Sequence, residues 1–180
     1  MTDTYFFVET LVFKQMIVLS LVSPLFTIQA MNQSYLTKNI FIADDDSDDL
    51  ILFEDALREV CKNSMLTMAK DGQQLMHILD TTVPPPPDVI FLDLNMPRKN
   101  GFECLYEIKH SSKLKNIPIV IFSTSDQPEA VNRVYEQGAH HFLKKPSSFP
   151  LLKQAIQKVL AINWAEHAAQ PAKDKFVLYV

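Results

Sequence analysis

Residues 88–101 read DVIFLDLNMPRKNG. Val89 to Leu92 is an unbroken apolar run, and Asp93 follows it directly, with Leu94, Asn95, Met96 and Pro97 next. An unbroken run, rather than an alternating one, marks a strand buried on both faces, as in a parallel sheet. After Gly101, Phe102, Leu105 and Ile108 recur at helical spacing. The segment therefore predicts a strand over Asp88–Leu92 (DVIFL), an acidic turn and a helix. The same unit repeats on either side. Asn39–Ala43 (NIFIA), Ile117–Phe122 (IPIVIF) and His140–Leu143 (HHFL) read as strands, and Met65–Ala69 (MLTMA) as a weaker one. Helices fill the gaps. Leu52, Ala56 and Val60 form one row and Phe53, Leu57 and Cys61 the next; Leu75, Ile78 and Leu79 follow Gly72. Asp126 and Glu129 have capping-box spacing before Ala130, Val131 and Val134, with Gly138 as the residue past the end. Ser147 or Ser148 starts a last helix carrying Leu152, Ala155, Ile156, Val159 and Leu160. Five strand–helix units predict a doubly wound α/β domain with right-handed crossovers and helices on both faces. Pro84 to Pro87 form a stiff connector into the third strand.

Composition narrows the function. The 180 residues carry 21 acids against 17 bases, a formal charge of −4, which argues against a general nucleic-acid binder. At 47% hydrophobic and 21% charged, the chain can bury a core. Cys61 and Cys104 are too few for a disulfide scaffold and are expected as free buried thiols. With only Gly72, Gly101 and Gly138, the chain has neither a P-loop nor a dinucleotide fingerprint.

The ends differ from the middle. Residues 15–30, QMIVLSLVSPLFTIQA, carry no charge, but Met16 to Val22 is short for a span of about 20 residues, and Pro24 interrupts the rest of the run. Three readings compete for residues 1–38: a secretion signal, a membrane or packing helix, and translated sequence upstream of a start at Met31. The expected division is this N-terminal extension, a domain over 39–163, and a tail over 164–180 ending in FVLYV, a candidate edge strand.

In open α/β sheets, ligands bind beyond the carboxyl ends of the strands. The first strand ends in Asp44-Asp45-Asp46, the third in Asp93, the fourth in Ser123-Thr124 and the fifth in Lys144-Lys145-Pro146. If strands one and three are neighbours, three carboxylates converge and raise one another's pKa unless a cation intervenes, and hard oxygen ligands suit Mg²⁺. Asp48 and Asp49 are expected only to complement the helix dipole. Asp44, Asp46, Asp48 and Asp55 mimic a calcium loop, but Asp49 stands where that loop needs glycine. Lys145 can reach an anionic group on Asp93 as a point charge, while Lys144 faces the opposite way, into solvent.

Together, IFIADDDSDD, DVIFLDLNMPRKNG, IPIVIFSTS and HHFLKKP resemble the receiver domain of two-component response regulators, over about Asn39 to Asn163. The resemblance implies a flavodoxin-like, five-stranded parallel sheet of order 2-1-3-4-5. It implies Asp93 as phosphoacceptor, with Asp45, Asp93 and the backbone carbonyl of Asn95 binding Mg²⁺ and Asp44 acting through water. Ser123 takes the family's Ser/Thr position, Lys145 its lysine position before a cis Pro146, Phe142 its aromatic switch position, and Gly101 permits the turn before the third helix. Ser123 moving toward the phosphoryl group would leave space for Phe142 to turn inward. Thr124 stands where the family often has a smaller residue, and would narrow access to Asp93.

The PPPP insertion and the tail resemble single-domain regulators of the phytochrome-associated type. The expected function is a cytoplasmic, non-enzymatic switch. A sensor histidine kinase phosphorylates it, and it acts on a downstream protein rather than on nucleic acid. The last helix and tail are a candidate homodimer surface. Two rivals stand beside this reading. One is an aspartyl-nucleophile phosphatase of the dehalogenase type, although Asn95 cannot serve as its general acid. The other is a membrane-anchored structural receiver.

Overall fold

The computed structural model describes residues 37–82, 85–164 and 170–180; residues 1–36, 83–84 and 165–169, and the expectations that fall on them, lie outside it. Residues 37–180 form one unit. Its strands are β1 (Lys38–Ala43), β2 (Ser64–Ala69), β3 (Val89–Leu92), β4 (Ile119–Ser123), β5 (His141–Lys144) and β6 (Val177–Leu178). Its helices are α1 (Ser47–Val60), α2 (Gly72–Thr82), α3 (Gly101–His110), α4 (Pro128–Glu136) and α5 (Phe149–Leu160). All strands pair in parallel, in the order β2-β1-β3-β4-β5-β6. The expected five-stranded order is present, and the tail adds a sixth strand.

Period-2 alternation sorts each strand between two cores. Phe41, Ile90, Leu92, Ile121 and Phe142 pack toward Leu75, Leu105, Ile108 and Val134 of α2, α3 and α4. Ile42, Phe91, Val120 and Leu143 pack toward Phe53, Leu57, Ile156 and Val159 of α1 and α5. On that second face, Phe53, Phe91 and Phe122 meet edge to face, with centroids 4.8 to 6.0 Å apart. β2, at the sheet edge, leaves Met65 and Met68 in solvent, which is why its apolar signal was weak.

Three local expectations are corrected, and a fourth, the start of the last helix, is met in position but not in its cap bond. On α1 the buried stripe is Leu50, Phe53, Ala56 and Leu57, while Leu52 is exposed and Cys61 is a half-buried C-cap. Asp126 does not cap α4. Gln127 takes the N-cap position ahead of Pro128, and the Asp126 carboxylate pairs with Lys144 at 2.9 Å. Ser148 takes the N-cap position of α5 without a side-chain bond. Asp88 lies outside β3 and accepts the Asn39 N–H at 2.7 Å instead.

The tail is held by its own contacts. The Phe142 N–H donates to the Phe176 carbonyl, Gln170 donates to the carbonyls of Tyr135 and Ala139, and Phe176 is buried edge-on against Tyr135. Phe176→Ala is expected to cost about 3 kcal/mol of unfolding free energy. Urea unfolding checks this, and a loss under about 1 kcal/mol would show that the tail is not part of the core.

Candidate functional site

The site lies at the carboxyl ends of β1, β3, β4 and β5, because the sheet order sets these four strands side by side. Asp44 and Asp93 each follow the last residue of a buried strand, so the backbone fixes both near the core edge. Asp93 N–H donates to the Ala43 carbonyl and Asp44 N–H to that of Ala69, which locks both turns to the sheet. Ser123 ends β4, and Lys145 follows β5 with its N–H on the Ser123 carbonyl at 2.9 Å.

Side chains converge accordingly. Asp44, Asp45 and Asp93 each offer a carboxylate oxygen, all within 4.8 Å of one another. Asp44 and Asp93 are buried and Asp45 is exposed. The largely buried Lys145 places its Nζ 2.6 Å from Asp44 Oδ2, 2.8 Å from Asp49 Oδ2 and 4.0 Å from Asp93 Oδ2. Burial pushes the Asp44 carboxyl up to about 6, against the pull of Lys145. Burial opposes the charge on Lys145, yet Asp44 and Asp49 together hold its amine above the ordinary lysine value. Asp93 Oδ1 and Ser123 Oγ are buried without a hydrogen-bond partner among the described residues. Buried polar atoms are rarely left so, and here they sit on adjacent strands at one sheet end.

This donor set suits a hard divalent cation: three carboxylate oxygens in reach of one another, one of them on an orphaned buried group, and no thiol or imidazole. A proton on Asp44 competes with such a cation. Affinity for Mn²⁺, read by its paramagnetic relaxation, is therefore expected to fall nearly tenfold per pH unit below about 6. A flat profile from pH 7 to 5 would contradict the assignment. The sign for folding is linked. An acid raised from 3.8 to about 6 stabilises the metal-free fold below pH 3.8, and that contribution is lost as pH rises through 6.

Glycine is required at 101. A Cβ there would lie 2.1 Å from the Asp93 carbonyl oxygen and 2.8 Å from Leu94 Cα, while its N–H donates to the Leu94 carbonyl at 3.0 Å. Gly101→Ala is expected to destabilise by about 2 kcal/mol and to displace the Asp93 turn. Thermal unfolding together with the Asp93 amide shift checks it, and an unmoved amide shift would contradict it.

The structure also places the remaining expected residues. Asn95 and Thr124 are exposed in the turns after β3 and β4, and Pro146 follows Lys145. Phe142, on β5 and paired in register with Ile121, is completely buried. Sequence reasoning missed two contacts. Asp49 is not merely a helix-start acid, because it binds Lys145 across 96 positions of sequence. Buried Asp71 pairs with Arg98, a non-glycine residue at φ 65°, and so ties the β2–α2 turn to the turn after Asp93. The left-handed φ of Arg98 was the only local anomaly in that turn, and nothing in its sequence announces it.

Comparison with known proteins agrees with this geometry. Residues 40–157 match the response regulator receiver domain family. The response regulator Rcp1 of Synechocystis sp. is 31% identical over 145 residues, covering 78% of this chain and 98% of Rcp1. The phosphorylated cyanobacterial phytochrome response regulator RcpA superposes with a TM-score of 0.66 at 30% identity, covering 76% of this chain and all of that one. The Mn²⁺-bound form of Rcp1 superposes with a TM-score of 0.63 at 32% identity, covering 75% of this chain and 99% of that one. The chain belongs to the response regulator receiver domain family.

Proposed function

We propose that the protein accepts a phosphoryl group on Asp93 from a phosphohistidine of a sensor kinase, and that this changes which protein it binds. The orphaned Asp93 Oδ1 carries the reading. It is a buried carboxylate oxygen, with a buried serine hydroxyl on the next strand and a lysine ammonium 4.0 Å from its twin oxygen. In the transfer, the donor P–N bond breaks with its electron pair on the imidazole nitrogen, and an Asp93 carboxylate oxygen bonds to phosphorus. Asp45, Asp93 and the main-chain carbonyl of Asn95 would hold Mg²⁺, with Asp44 acting through water, and the ion would neutralise negative charge on the carboxylates and the phosphoryl oxygens. Lys145 supplies a second cation to the transferring group, and Ser123 a hydroxyl donor.

The response arises from packing. Drawing Ser123 Oγ toward a phosphoryl group alters the layer that Phe142 shares with α4 and the tail. Because Phe142 is already buried, the change is a repacking within the core. The surface formed by α4, β5 and β6 then shifts between two populations. A sensor kinase as donor goes with a cytoplasmic location, which is part of the proposal. Among the described residues no helix is long and apolar enough to cross a membrane. Similarity to a cyanobacterial phytochrome response regulator supports a phytochrome-associated donor.

Incubation with phosphoramidate tests the reading. Mg²⁺-dependent uptake of one phosphoryl group, lost again by slow hydrolysis, is expected. Steady turnover of an added phosphomonoester would instead mark a phosphatase.

A further inference from the structure

We infer that Asp49 is a positioning residue for Lys145, holding its ammonium back from the phosphorylation site and so setting how tightly a phosphoryl group is retained. The inference rests on the reading of Asp93 as phosphoacceptor. Lys145 Nζ lies 2.8 Å from Asp49 Oδ2 and 2.6 Å from Asp44 Oδ2, but 4.0 Å from Asp93 Oδ2. The ammonium is thus committed to two carboxylates on the β1–α1 side and only reaches the third. Asp49 stands in the first turn of α1, where Asp46 accepts the N–H groups of Asp48 and Asp49. That cap already supplies the anion the helix start calls for, so the carboxylate of Asp49 is available for another partner. Asp49 is half-buried, and with Lys145 it borders a cleft lined by Leu52, Phe122, Pro146 and Phe149. The Phe122 ring, 5.8 Å from the ammonium, adds only a long cation–π contact, so most of the charge is met by carboxylates.

A phosphoryl group on Asp93 brings a new anion within reach. To contact it, Lys145 gives up part of its bond to Asp49, while the proton stays on Nζ and no covalent bond at either residue changes. Asp49 therefore opposes the lysine–phosphoryl contact. Asp93, by contrast, bears the group directly. Asp49→Asn keeps the size and removes the charge. Asp49→Glu keeps the charge and serves as rescue.

The test uses beryllofluoride in Mg²⁺, a stable stand-in for the phosphoryl group, titrated by ¹⁹F NMR into the full chain. Asp49→Asn is expected to bind it about fivefold more tightly, and Asp49→Glu within about twofold of the unmutated chain. In the Lys145→Ala background, adding Asp49→Asn is expected to change affinity by less than about twofold, since the residue acts through the lysine. An unchanged affinity in Asp49→Asn, or an equal gain with and without Lys145, overturns the inference alone. A chain whose bound ¹⁹F signal survives Asp93→Asn overturns the reading of Asp93 and the inference with it.

Discussion

Asp93→Asn is expected to lower phosphoryl uptake from phosphoramidate by at least about 100-fold while leaving the fold intact. Asparagine has the same shape but no nucleophilic carboxylate oxygen. The backbone bond from residue 93 to the Ala43 carbonyl does not depend on the side chain, so the turn survives. Oδ1 has no hydrogen-bond partner among the described residues, so the substitution breaks no bond to that atom. It also removes one negative charge from a crowded acidic cluster, so equal or slightly higher stability is expected without metal. Uptake by Asp93→Asn equal to that of the unmutated chain would mean that another residue is the acceptor.

Lys145→Ala is expected to have the second largest effect, and to have it on stability as well as chemistry. The ammonium is ion-paired with Asp44 and Asp49 and is the only cation among the described residues paired with Asp44. Removing it leaves the nearly fully buried Asp44 carboxylate uncompensated, which costs about 3 kcal/mol at neutral pH without metal. Two conditions restore stability. Mg²⁺ supplies the missing charge. Lowering the pH toward 5 protonates Asp44, whose carboxyl burial already pushes up to about 6 and which loses its opposing lysine in the variant. Urea unfolding at pH 7.5 and pH 5, with and without Mg²⁺, resolves these contributions. Phosphoryl uptake should fall about 100-fold even in Mg²⁺, since the transferring group loses one of its two cations. A variant as stable as the unmutated chain at pH 7.5 without metal would contradict the electrostatic account of the site.

The central strands were legible because β1, β3 and β4 are buried on both faces and therefore unbroken in sequence. β2 lies at an edge with Met65 and Met68 exposed, which blurred it. β6 was legible only as an apolar tail, because two paired residues have no period. The ends of strands gave the site away. Asp44, Asp93, Ser123 and Lys145 each follow or finish an apolar run, and a parallel sheet gathers such ends on one side. Asp49 escaped notice because a carboxylate in the first turn of a helix needs no other explanation, and its partner is 96 positions away. Asp126 misled for the converse reason. Its spacing fitted a cap, but Pro128 already starts the helix and Lys144 was a better partner.

Mapping the modified residue tests the phosphoacceptor assignment most directly. After reaction with phosphoramidate and Mg²⁺, peptide mass spectrometry is expected to find one phosphoryl group on Asp93, and none after chelation of the metal. A phosphoryl group on a serine, a histidine or another aspartate, or equal labelling without metal, would contradict it.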